Sequence, residues 1–115
     1  PWIGYFDMID KVDSFVFLDH VQLVKRSWQV RNKIIFNNKE KFITVPILKE
    51  AIRNETYINT ANIDYSSNWD SKFVEYLKMS YRDYYHFDKV MGLLINILEK
   101  KIKNLNQIFL SYGFL

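Results

Sequence analysis

Apolar positions change their period along the chain, and each change marks an element. Trp2, Tyr5, Phe6, Ile9 and Val12 recur at helical spacing, while Asp7, Asp10 and Lys11 take the other face, which predicts a first helix. Phe15-Val16-Phe17-Leu18 is a continuous apolar run that stops at Asp19. A short run of this kind predicts a strand buried on both faces, as in a parallel sheet. Residues 20–33 fit a short helix or an ordered loop. Ile34-Ile35-Phe36 and Phe42-Ile43-Thr44-Val45 flank a polar stretch that begins Asn37-Asn38. Asn tolerates the left-handed turn conformation, so this reads as a β-hairpin. Pro46 ends the second strand or places it at an edge. Tyr57-Ile58 and Ile63 predict another short strand.

From Ser67 the period becomes helical. Trp69, Phe73, Leu77, Tyr81 and Tyr84 form an apolar stripe, opposed by Ser71, Glu75, Lys78 and Arg82. Ser67 and Asp70 suit a capping box at its start. A further stripe runs through Phe87, Val90, Met91, Leu94, Leu98 and Ile102. Asp88 near its start, and Lys100, Lys101 and Lys103 near its end, agree with the helix macrodipole. Residues 105–112 start a third helix of this segment. The stripes predict core rather than a cofactor box. The fold class expected is α/β: an N-terminal helix, a buried strand and a β-hairpin, followed by an α-helical segment.

Composition narrows the chemistry. The 115 residues, 49% hydrophobic, suit one domain. Only 3 Gly occur, at Gly4, Gly92 and Gly113, too dispersed for a dinucleotide fingerprint or a Walker A loop. With no Cys there is no disulfide, thiolate metal site or Cys nucleophile. The 2 His are too far apart for a helical zinc pair, and no metal site is expected. The longest apolar stretch, Val90–Leu98, contains Asn96 and falls short of the ~18 residues that a membrane span needs. The chain opens on Pro1 and closes on Phe114-Leu115, so it reads as a single domain truncated at both ends.

The net charge of +3 is unevenly spread. Asp7, Asp10, Asp13 and Asp19 precede a basic stretch with Lys25, Arg26, Arg31, Lys33, Lys39, Lys41 and Lys49. This fits a solvated surface or a site for phosphate or carboxylate. The aromatics fall on core stripes and in apolar strands, so a nucleic-acid partner is not expected. Asp19 and His20 stand just past the predicted strand, where ligands of α/β sheets bind. Gln22, Lys25, Arg26, Trp28, Arg31 and Asn32 follow within a dozen residues. Together they offer an acceptor, a general base, cations, a stacking face and amide donors. Each also has a structural alternative: a cap for Asp19, a surface histidine, surface ion pairs for the arginines, and packing for Trp28.

These residues carry a resemblance. Pro1-Trp2-Ile3-Gly4-Tyr5-Phe6 is similar to the end of a Gln-Pro-x-Phe-x-Pro-Trp-x-Gly-Tyr-Phe motif. Phe15-Val16, Leu18-Asp19, Val21-Gln22, Lys25-Arg26-Ser27-Trp28 and Arg31-Asn32 resemble, in order, the central signature of the WbqC-like family. Ile43-Thr44-Val45-Pro46, Trp69 and Lys72 fit as well. His20 stands where the family carries His or a second acid, and Val30 stands where Asn is common. The resemblance implies a partial domain, lacking the family's N-terminal strand and its C-terminal half. It also implies a cytoplasmic role in bacterial O-antigen or other surface-polysaccharide biosynthesis. One implied role is an aminoacyl (glycine) or acyl transferase acting on a small-molecule or nucleotide-linked amino sugar. Asp19 and His20 would then be catalytic, and Gln22, Lys25, Arg26, Trp28, Arg31 and Asn32 would bind substrate. The other is a non-catalytic sugar-nucleotide or protein-binding module in a glycan-assembly complex. Neither names a cofactor.

Overall fold

The computed structural model describes residues 3–24, 26–48 and 56–108. Its order is α1 (Ile3–Asp10), β1 (Arg31–Phe36), β2 (Lys39–Thr44), a 3-10 turn at Ile58–Thr60, α2 (Trp69–Tyr81) and α3 (Phe87–Glu99). Residues 105–108 form a further helical turn. The architecture is mixed α/β, with the N-terminal helix, the hairpin and then helices in the expected order.

The buried strand at Phe15–Leu18 is not there. The run has no regular secondary structure, and its main chain pairs with no strand among the described residues. Val16 is 84% exposed and Leu18 73%. An apolar run reports a tendency to be covered and says nothing about strand pairing. Here the cover is local and one-sided. The ring of Tyr5, on α1, meets Phe15 edge-on at 5.5 Å, and Phe15 meets Phe17 at 5.2 Å.

The hairpin follows from its turn. Asn37 (φ 51°) and Asn38 (φ 57°) are both left-handed, as a two-residue type I′ turn requires. Two residues thus suffice for the reversal, and Lys39, Glu40 and Lys41 enter β2 rather than a longer loop. The strands pair antiparallel from Arg31 opposite Thr44 to Phe36 opposite Lys39. Ile34 and Ile43 turn inward, and Phe36 meets Tyr76 of α2 edge-on at 5.1 Å. Residues 20–24 and 26–30 form loop rather than helix. Within it the Gln29 side-chain oxygen accepts from Val24 N at 2.8 Å.

The expected strand near residues 57–63 resolves into separate bridges. Gln22 pairs with Tyr57, Ile47 with Ile63 and Asn62 with Asn104. Single main-chain hydrogen bonds complete the pattern: Ile58 N donates to Val21 O, Asp64 N to Pro46 O, and Leu105 N to Ala61 O. Residues 56–64 therefore act as a spine joining three distant stretches. Ala61 and Leu105, both 0% exposed, lie at its centre.

The α2 stripe packs through Trp69 and Phe73, but the cap differs from expectation. Asn68, left-handed at φ 50°, precedes Trp69 and makes no side-chain cap bond. Ser67 lies one residue too early to cap, so the box with Asp70 cannot close. On α3 the buried residues are Met91, Leu94, Ile97 and Leu98, and Val90 is 57% exposed. The buried face is thus rotated from the expected stripe toward Ile97. Of the expected helix 105–112, residues 109–112 lie outside the described residues. No helix among the described residues is long and apolar enough to cross a membrane.

Candidate functional site

The structure gathers the expected site residues into two groups. The first centres on Asp19. His20 Nδ1 lies 2.8 Å from Asp19 Oδ1. Asn106 Nδ2 donates to the second carboxylate oxygen, Oδ2, at 2.7 Å. The main chain holds the same residue, since Asn59 N donates to Asp19 O at 3.0 Å. Asn104 Nδ2 donates to Asn59 O at 2.7 Å, and Asn106 N donates to Asn104 Oδ1 at 2.9 Å. Asp19, Asn59, Asn104 and Asn106 thus close a polar ring. The carboxylate side chain is 21% exposed and the imidazole 83%. Asp19 is fixed, and it fixes one ring nitrogen of a histidine whose other face meets solvent.

The second group lies on the outer face of the hairpin. Side chains alternate along a strand, and opposed residues share a face. The register therefore places Arg31, Lys33, Phe42 and Thr44 together. The Arg31 guanidinium carbon sits 4.4 Å from the Phe42 ring centre, a cation–π contact. Trp28, 67% exposed, approaches the same ring at 6.1 Å. Lys33 is neutralised by Glu40 at 2.5 Å. No carboxylate among the described residues pairs with Arg31, and its Nε has no hydrogen-bond partner. An unpaired guanidinium on an aromatic ring, next to an exposed indole, suits a ligand carrying both an anion and a flat ring.

The remaining expected residues do not join either group. Gln22 contributes main-chain pairing to Tyr57, and its side chain is exposed. Arg26 is exposed on a left-handed turn at φ 57°. Asn32 points to the opposite face from Arg31, and its Oδ1 accepts from the neighbouring Lys33 N at 2.8 Å. Lys25 lies outside the described residues. Among the described residues no cluster of three or more His, Asp or Glu is placed to hold a metal ion.

Three members of the polar ring are absent from the sequence reading, and Phe42 enters it only as a strand residue. Asn104 had a detectable signal: it stands before the 105–108 turn and accepts from Asn106 N, as a capping asparagine does. Asn59, Asn106 and the Phe42–Arg31 contact depend on pairings remote in sequence.

Behind the hairpin's inner face is a cavity of about 290 Å³. Ile34 and Ile43 of the hairpin, Trp69, Phe73 and Leu77 of α2, and Leu94 of α3 are among its lining residues. Leu105 and Ile108, on the turn that carries Asn106, also line it.

The order of motifs in the sequence finds its counterpart in known proteins. The chain is 35% identical over 107 residues to Rv1507c, an uncharacterized protein of Mycobacterium tuberculosis. The match covers 92% of this chain but 46% of the relative, so the chain spans about half the length of that protein. No solved structure matches it. The WbqC-like protein family matches residues 1–112, nearly the whole chain, and the chain belongs to that family.

Proposed function

We propose that this chain carries part of the site of an aminoacyl or acyl transferase, with an amino sugar of bacterial surface polysaccharide as acceptor and the cytoplasm as its place of work. The observation that carries the reading is the set Asn106–Asp19–His20, in which Asn106 hydrogen-bonds the Asp19 carboxylate and His20 Nδ1 lies against its other oxygen. Transfer to an amine needs a base that takes the amine proton as nitrogen attacks the carbonyl. His20 is that base, and Asp19, beside its Nδ1, orients the ring. Asn106 holds Asp19 in turn. Arg31 binds a phosphate or carboxylate of a nucleotide-linked substrate, and Trp28 stacks on its ring. The carbon–nitrogen bond forms as the bond from the carbonyl to the donor's leaving group breaks.

One observation favours a second reading. His20 is 83% exposed, more open than most catalytic bases. A non-catalytic sugar-nucleotide-binding module in a glycan-assembly complex would use the same Arg31–Phe42–Trp28 surface without turnover. The test is incubation of full-length protein with amino-sugar acceptors and candidate donors, read by product mass. A mass gain equal to the transferred group, lost in Asp19→Asn and His20→Ala, supports the enzyme. Nucleotide-sugar binding lost in Arg31→Ala, with no mass gain in the wild type, supports the module. Full transfer by Asp19→Asn and Arg31→Ala overturns the site assignment.

A further inference from the structure

The cavity behind the hairpin bears on what is transferred. Its volume is about 290 Å³. A cavity of roughly 150 Å³ accepts benzene, so by proportion there is room here for about ten carbon atoms. The deep wall is apolar and buried: Trp69 is 8% exposed, Leu94 8%, Ile108 4% and Leu105 0%. Trp28, Asn32 and Lys33, all exposed, are also among its lining residues. One lining residue carries a buried polar atom without a partner. The Trp69 indole Nε1 is buried and has no acceptor among the described residues. Buried indole N–H groups ordinarily find one. An oxygen on an otherwise apolar occupant supplies it. Arg31 also lines the cavity and has no carboxylate partner among the described residues, which favours a carboxylate or a polarised carbonyl over an ammonium group.

We infer that the cavity between the hairpin and helices α2 and α3 binds a medium-chain acyl group or the corresponding carboxylate, its oxygen meeting the Trp69 N–H. This rests on the acyl branch of the proposed function. It makes the group handled there apolar rather than glycyl, because glycine offers no side chain to fill such a space.

The experiment is titration of the full-length, nitrogen-15-labelled protein with octanoate, followed through the tryptophan indole N–H signals. Octylamine and glycine serve as comparisons. The Trp69 signal is assigned by its loss in Trp69→Phe. Octanoate should shift that signal saturably, with Kd about 1 mM or tighter for a ligand of this size. Octylamine should bind at least about tenfold more weakly, and glycine should leave the signal in place. Leu77→Trp, which fills the cavity, should abolish the octanoate shift while the circular dichroism spectrum stays native. No shift of the Trp69 signal, an equal response to octylamine, or undiminished binding by a folded Leu77→Trp protein overturns the inference. Transfer is scored separately. Glycyl transfer without octanoate binding sinks the cavity assignment and leaves the transferase standing. Octanoate binding by a protein that transfers nothing does the reverse.

Discussion

The ion pair between Asp70 and Lys101 should behave asymmetrically when each partner is removed. Asp70 lies in the first turn of α2 and is 5% exposed, whereas the Lys101 side chain is 53% exposed. The ammonium of Lys101 hydrogen-bonds Asp70 Oδ2, tying the start of α2 to the residue just past α3. Burial pushes the Asp70 carboxyl pKa up, but hydrogen bonds from Lys101 and main-chain N–H groups, with the lysine's charge, outweigh it and hold the carboxyl below its ordinary value of 3.8. Lys101→Met strands a buried carboxylate, for which a loss of ~3 kcal/mol is expected. Asp70→Asn removes the charge and leaves a lysine that can turn to water, so a loss of ~1.5 kcal/mol is expected. The left-handed backbone of Lys101, φ 47°, is shared by wild type and Lys101→Met and cancels between them. The double variant should resemble Asp70→Asn, giving a coupling of ~3 kcal/mol in magnitude. A depressed folded-state pKa means that the stabilisation is fully present above the unfolded-state pKa. It is lost as pH falls through the folded-state value. Wild type and Asp70→Asn should therefore differ at neutral pH and converge in acid well below the ordinary carboxylate range. Urea unfolding of the four proteins across that pH range measures both effects. The reasoning fails if Lys101→Met costs no more than Asp70→Asn, or if their gap from wild type is the same in strong acid.

Other expectations follow from single residues. Leu105→Ala, at a side chain with no exposed area, should cost about 3 kcal/mol by leaving a cavity beside the spine, seen as a lower urea midpoint at unchanged slope. Asn38→Ala should cost about 1 kcal/mol, since alanine resists the left-handed turn, and Asn38→Gly should restore most of it. Asn106→Ala frees Asp19 Oδ2, and in the transferase reading should lower kcat roughly tenfold with KM little changed, measured by product mass over time. Phe42→Ala removes the ring beneath Arg31 and should weaken nucleotide-sugar binding by roughly threefold to tenfold in calorimetric titration.

What the sequence discloses follows the range of the interaction. Asn37-Asn38 encode a turn through their own backbone preferences, and the hairpin is legible for that reason. Phe15–Leu18 encodes only a demand for cover, and Tyr5 meets it without any strand partner. The α3 stripe misplaces Val90 and omits Ile97 because the buried side of a helix depends on which neighbours it meets. Asp19 and His20 are adjacent in sequence, so their pairing needs no fold. Arg31 and Trp28 come together only through Phe42, whose place is set by the hairpin register. Asn106 reaches Asp19 across a separation of 87 residues, a distance that no local pattern spans.

The polar ring at Asp19 has a mechanical consequence. In a chain with no cysteine, it occupies the place that a disulfide holds elsewhere, cross-linking the two ends of an 87-residue loop. A disulfide yields to a reductant, whereas this link yields to any solvent amide that competes for the same donors and acceptors. Mild urea should loosen it before the apolar centre melts, so the geometry around His20 would be lost while the body of the fold still stands.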